Sequence, residues 1–426
     1  MTYTIIAIAI FVVGYVAIAL EHTIKVNKAA SALITGVLCW TIYFLHSGTP
    51  ASAGEELTLH LGEIASIVFF LLGAMTIVEL IDSHNGFDII SRQITTTSKR
   101  RLLLIIAIIT FLLSSLLDNL TTSIVMTSLC LKIIPGKEDR LWFAGIIIIA
   151  ANAGGAWSPL GDVTTTMLWI GGQITAINII KTLLLPSIAV CVIPAWIVSM
   201  RFKSQKLAAI PASVCTTEEQ KQGKLMLFSG IGLLLFVPAF KSVTHLPPFM
   251  GMLLALGLIW VITTFIHRDK PAEYLERFTV TKALQKIDAP SILFFLGILL
   301  AVTAIQALGI LTSLANALNG TLKNDYLIGI VLGLLSSIVD NVPLVAACQG
   351  MYDLQTYPPD HHFWEFLALT TGTGGSAIII GSAAGVAVMG IEKINFTWYL
   401  KNISWLALLG FAAGVATFLI EAYLTT

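Results

Sequence analysis

Apolar runs follow one another along the chain, near residues 4–20, 28–45, 63–82, 102–134, 141–172, 179–200, 225–240, 249–266, 289–308, 327–350, 362–390 and 403–424. A membrane-crossing helix needs about 20 predominantly apolar residues, and most of these runs reach that length. The stretch from Arg201 to Lys224 is polar, with Pro211, Glu218, Glu219 and four lysines. It divides the runs six and six. The pattern predicts an all-α polytopic membrane protein in two halves: 1–206, a linker outside the membrane over 207–224, and 225–426.

Polar residues interrupt the runs at matching places. Ser114-Ser115-Leu116-Leu117-Asp118-Asn119 returns as Ser336-Ser337-Ile338-Val339-Asp340-Asn341, 222 residues later. Phe69-Phe70-Leu71-Leu72-Gly73 matches Phe294-Phe295-Leu296-Gly297, and Ala153-Gly154-Gly155-Ala156 matches Thr373-Gly374-Gly375-Ser376. Internal duplication is the common plan of secondary transporters. As one straight helix, 102–134 would run about 50 Å against a hydrocarbon core of about 30 Å. Its polar middle suits a turn, so the run predicts a re-entrant hairpin that enters and leaves on one side. Such backbone is tolerated where protein or water surrounds it. Segment 327–350 predicts a second hairpin, because Pro343 disrupts a continuous helix just after Asp340 and Asn341.

Charge supports the hairpins. With both hairpins non-crossing and the N-terminus outside, 21 of the 24 Lys and Arg residues fall on the inner side, and only Lys181, Lys241 and Lys323 fall outside. A single crossing by each hairpin would destroy this positive-inside bias. The result is ten crossings and two inverted repeats, one hairpin entering from each face, with both termini outside.

Composition narrows the class. The chain is 56% hydrophobic and 11% charged, with mean hydropathy +0.88; soluble domains carry about 25% charged residues. Zero net charge argues against nucleic-acid binding driven by global charge. Met1 to Leu20 has no basic residue ahead of it and no cleavage site, and so reads as a retained first helix. The five cysteines are scattered without metal-binding spacing and read as packing residues.

The candidate chemistry lies at the hairpin tips and in the glycine-rich runs that follow them. Gly154, Gly155, Pro159 and Gly161 predict an interrupted crossing in 141–172; Gly372, Gly374, Gly375 and Gly381 predict another in 362–390. Interrupted helices expose carbonyls and helix ends that coordinate ions. The site collects Asp118, Asp162 and Asp340 as carboxylates, Asn119, Asn152 and Asn341 as amides, and Ser114, Thr164, Thr165, Ser336 and Ser376 as hydroxyls. Oxygen ligands of this kind suit hard cations. Burial and a neighbouring carboxylate both favour the protonated form of an acid, so the same groups would take a proton or a cation in competition. No lysine or arginine lies in these stretches, which predicts carboxylates without a counter-ion in sequence reach. Each aspartate could instead cap a half-helix, and Asp162 could do both. Glu79, Asp82 and His84 read as the polar inner end of 63–82. No nucleophile–base arrangement suggests an enzyme, and the glycine runs lack the lysine of a phosphate loop.

These residues resemble the NhaD-type sodium/proton antiporters of the ion transporter superfamily. The likeness rests on Ser115 to Thr122, Ser337 to Leu344, Ser158 to Thr165, Gly374-Gly375-Ser376 and Gly381 to Gly385. It implies exchange of Na⁺ or Li⁺ for H⁺ across a bacterial inner membrane, with no cofactor beyond the transported ions. It also implies a homodimer with a mobile hairpin-bearing unit in each protomer. Related branches carry citrate, dicarboxylates or arsenite, so a sodium-coupled anion transporter is the alternative. The dicarboxylate branch has Ser-Asn-Thr at its tips, and the Asp-Asn found here favours cations. The second half lacks an aspartate at the place of Asp162. The site is therefore expected to be asymmetric, with Asp118 and Asp162 carrying ion and proton and Asp340-Asn341 supporting them.

Overall fold

The computed structural model describes residues 2–47, 50–87, 89, 96–203, 205, 217–268, 278–338 and 340–425. Among these residues there is no β-strand. The chain opens with α1 (Thr2–Ala19), a short α2 (Glu21–Ile24), α3 (Lys28–Ser47) and α4 (Pro50–Ser83). Then come α5 (Lys99–Leu117), α6 (Asn119–Ile133), α7 (Lys137–Ala156), α8 (Val163–Ile170) and α9 (Ala176–Arg201). The second half has α10 (Thr217–Thr244), α11 (Pro248–His267), α12 (Val280–Lys286), α13 (Ala289–Ala307), α14 (Ile310–Leu322), α15 (Asp325–Leu335) and α16 (Asn341–Met351). It closes with α17 (His362–Gly374), α18 (Ala383–Glu392), α19 (Phe396–Asn402) and α20 (Ser404–Thr425).

Among the described residues, eight helices are long and apolar enough to cross a membrane: α3, α4, α5, α9, α10, α11, α13 and α20. The protein is an all-α, polytopic membrane protein. Residues 207–216 of the expected linker lie outside the described residues, whereas 217–224 form the first turns of α10. Helix α4 begins 13 residues before its apolar run, because Ala, Glu and Leu from Ala51 to Leu61 sustain a helix without being apolar enough to signal a span.

Segment 102–134 is two helices. They break at Asp118, whose φ of 78° and ψ of 157° end α5 and start α6. Lys99 at the start of α5 pairs with Asp139 just beyond α6, Nζ to Oδ2 at 2.6 Å, so the outer ends of the two arms lie together. Segment 327–350 repeats the plan. Helices α15 and α16 flank residues 336–340, and the Tyr357 hydroxyl beyond α16 donates to Asp325 at the start of α15 at 2.9 Å.

The two halves share their packing. Helix α3 lies on α13 as α11 lies on α4; α1 lies on α3 as α10 lies on α11; α5 lies on α7 as α15 lies on α17. Individual contacts recur too. Ser114 Oγ donates to Ala151 O at 2.6 Å, and Ser336 Oγ donates to Thr371 O at 3.0 Å. A Cβ on Gly154 would strike the Phe111 carbonyl, and one on Gly374 would strike the carbonyl of Gly333. Those glycines let each broken crossing press against its helix pair. The halves then interlock, because α6 packs on α18 and α16 on α8.

Polar ends are tied down locally. Glu79 pairs with Lys286 at 3.0 Å. His84 Nε2 lies 2.8 Å from His267 Nε2, joining the ends of α4 and α11.

Candidate functional site

Helix α7 ends at Ala156 and α8 starts at Val163, so residues 157–162 are free of regular helix. Asp162 closes this stretch. Its extended backbone (φ −145°) lets the carboxylate fold over the first turn of α8, where Oδ1 accepts from Thr164 N at 2.9 Å and from Thr164 Oγ1 at 2.8 Å. These bonds cap α8, and the helix N-terminus favours a negative charge there. The other oxygen faces the hairpin tips. Asn119 Nδ2 donates to Oδ2 at 2.7 Å, and Asn341 Nδ2 lies 3.4 Å from both oxygens. Asp162 is 2% exposed. Capping and facing the centre are thus both true of this residue.

A second layer of amides and hydroxyls lies against it. Asn152, on α7, accepts from Asn119 at 3.1 Å and donates to Ser376 Oγ at 2.8 Å and Ser382 Oγ at 3.0 Å. Asn119, Asn152, Asp162, Asn341, Ser376 and Ser382 are all buried. Together they bring both tips and both broken crossings into one hydrogen-bonded cluster. Tyr399, on α19, supports it by donating to the Ser376 carbonyl at 2.8 Å.

The other two aspartates face different partners. Asp118 caps α6, with Oδ1 accepting from Thr121 N at 2.8 Å and Oδ2 from Thr121 Oγ1 at 2.9 Å. Its backbone lies in a region almost reserved for glycine, which costs about 1–3 kcal/mol and is typical of functional sites. Asp118 and Asp162 line one cavity of about 50 Å³ together with Asn119, Val163 and Thr166. Asp340 caps α16, accepting from Val342 N at 3.3 Å, and pairs with Lys28 Nζ at 3.3 Å. No counter-ion was expected within sequence reach of the carboxylates, and the one that Asp340 meets comes from far away in the chain. Lys28 reaches Asp340 across 312 residues of sequence, a contact that only the tertiary fold creates.

Three hydroxyls bond to backbone carbonyls. Ser114 and Ser336 hold the tips to α7 and α17, and Thr165 donates to Ser158 O and Asp162 O at 2.8 and 2.9 Å. Ser382 was absent from the sequence-derived set. It occupies the place of Asp162 at the 220-residue offset and likewise caps its half-helix, accepting from Gly385 N at 3.1 Å. That offset was the signal that would have found it.

Two helix pairs and two broken crossings around a buried polar centre, inside a shell of apolar helices, define a multi-pass membrane protein of the secondary-transporter class. The chain belongs to the CitMHS family, described as "Citrate transporter", which matches residues 5–372, and within it to the NhaD-type sodium/proton antiporters. It is 45% identical over 418 residues to Sodium/proton antiporter 2 of Arabidopsis thaliana, covering 96% of this chain and 98% of that one. It is 30% identical over 449 residues to the Na(+)/H(+) antiporter NhaD of Alkalimonas amylolytica, covering 97% and 90%. It is 29% identical over 444 residues to the protein of the same name from Vibrio cholerae, covering 97% and 91%.

Proposed function

We propose that the protein exchanges Na⁺ or Li⁺ for H⁺ by alternating access, with Asp162 as the central group that takes cation or proton in turn. The observation that carries this reading is the Asp162 carboxylate, buried where Asn119 and Asn341 reach it from the two tips. Rotating either amide by half a turn replaces its NH₂ with a carbonyl oxygen. The same residues then serve as donors to an empty carboxylate or as ligands beside a bound cation. Asp118, Thr164 and Asn152 extend the oxygen set, and Ser376 supports Asn152. Ser114, Ser336 and Thr165 hold the backbone that frames it.

The topology belongs to this proposal: two inverted repeats, re-entrant hairpins at α5–α6 and α15–α16, and ten crossings with both termini outside. Its supports are the recurring contacts, the joined outer ends of each hairpin and the 21-to-3 charge bias. Residence in a bacterial inner membrane and assembly as a homodimer complete it.

The test is addition of Na⁺, Li⁺ or K⁺ to everted vesicles that hold a preformed pH gradient. Na⁺ and Li⁺ dissipate the gradient; an intact protein that responds to neither would sink the reading. The description of the family as citrate transporters favours a second reading, sodium-coupled uptake of a carboxylate. The cavity at Asp118 and Asp162, about 50 Å³, suits a small ion with a few waters better than a tricarboxylate, and its charged lining is two aspartates and Lys28. Labelled citrate uptake under a sodium gradient separates the two.

A further inference from the structure

Three cavities meet at one side chain. The first holds Asp118 and Asp162 and has a volume of about 50 Å³. The second, also about 50 Å³, lies between Tyr15, Glu21 and Asp340. The third is a wider vestibule of about 260 Å³ bordered by Glu21, Asn27 and Asp288. Lys28 lines all three. Leu120, Ser291 and Ala383 border both the first and the third, so Lys28 lies along the border that the acidic vestibule shares with the aspartate cavity, with its ammonium at Asp340 of the second.

Its attachments allow movement. Lys28 is the first residue of α3, and its backbone N–H is anchored to Glu21 Oε1 at 3.2 Å. Nζ lies 3.3 Å from Asp340 Oδ2 and 4.3 Å from the centre of the Phe294 ring. Tight charge-assisted bonds run at about 2.7–2.9 Å, so this pair is loose. The Lys28 side chain is 24% exposed and that of Asp340 17%. A compact charge on a flexible four-carbon stem can leave and return without moving the backbone.

We propose that Lys28 is a positioning residue for cation exchange: a tethered cation that occupies Asp340, withholds that carboxylate from the transported ion, and sets the charge an entering cation meets at the neck of the vestibule. This rests on the cation-exchange reading above. Without the ammonium, Asp340 is left uncompensated in a partly buried place, and a hard cation from the vestibule neutralises it. Binding then tightens and release slows.

The test is the apparent KM for Na⁺ and the maximal exchange rate in proteoliposomes holding equal amounts of folded protein. In Lys28→Gln the KM falls by about fivefold or more, and the maximal rate falls with it. Lys28→Arg keeps the charge and the wild-type KM. In Lys28→Gln combined with Asp340→Asn the KM returns toward wild type, because the freed carboxylate is gone. Lys28→Met repeats the test if the glutamine variant fails to accumulate. An unchanged KM in the neutral variants, or an arginine variant that behaves like glutamine, overturns the proposal and leaves a structural ion pair. A wild-type protein inert to Na⁺ would instead sink the exchange reading itself, and this proposal with it.

Discussion

Asp162 differs from the other two aspartates in what surrounds it. Asp118 bonds to its own helix through Thr121, and Asp340 bonds to Lys28 and its own cap. Only Asp162 is reached by an amide from each hairpin tip. Removing its charge while keeping its shape therefore separates ion binding from folding. Asp162→Asn still accepts from Thr164 and still caps α8, so the purified variant keeps its elution profile and melting temperature while exchange drops to background. Asn119→Ala and Asn341→Ala each remove one amide. Each raises the apparent KM for Na⁺ by about tenfold or less, since one hydrogen-bonding partner of a charged group contributes about 1.5–3 kcal/mol and a neighbour or water compensates in part. A KM unchanged in both would detach the amides from the site.

At the scale of elements, the close approach of broken crossings to hairpins carries the geometry. Gly154 lies on the Phe111 carbonyl and Gly374 on that of Gly333, with no room for a methyl group. Gly154→Ala overpacks this contact, which costs about 1–3 kcal/mol. It lowers the melting temperature in detergent and slows exchange, because α5 and Asp118 shift away from Asp162. Gly62→Ala is the control: nothing lies within 4 Å of a Cβ there, and helix propensity favours alanine. Equal melting temperatures for the two variants would contradict the packing argument. The helix breaks at Asp118, between α15 and α16, after Ala156 and after Gly374 are legible in the sequence because polar, glycine and proline residues stand out inside apolar runs, and because the duplication marks them twice. Helix α14 is not. Ile310–Leu322 mixes small, polar and apolar residues and buries only Leu311 and Ala315, so no apolar run announces it. Nor is the Lys28–Asp340 pair, since a lysine at the start of a crossing reads as ordinary inner-side charge until the fold brings the second hairpin to it.

For the whole molecule, the proposed topology places one re-entrant hairpin on each side of the shared centre, oriented by the 21-to-3 charge bias. Single cysteines report this orientation. Four of the natural cysteines are buried, so a Cys215→Ser background labels weakly. Lys181→Cys and Lys323→Cys are expected to react with an impermeant thiol reagent from outside intact cells, and Lys137→Cys and Lys282→Cys only after permeabilisation. The reverse pattern would invert the topology, and a mixed pattern would remove the hairpins. The halves are similar in backbone but unequal in chemistry, since Asp162 faces the centre from one half and Ser382 from the other. A single central carboxylate serving both ions is therefore the claim on which the rest depends. It is tested most directly by Na⁺-driven proton movement in proteoliposomes carrying wild type or Asp162→Asn at equal density. Wild type moves protons on Na⁺ addition, and Asp162→Asn moves none above empty liposomes. Wild-type flux from Asp162→Asn would contradict it.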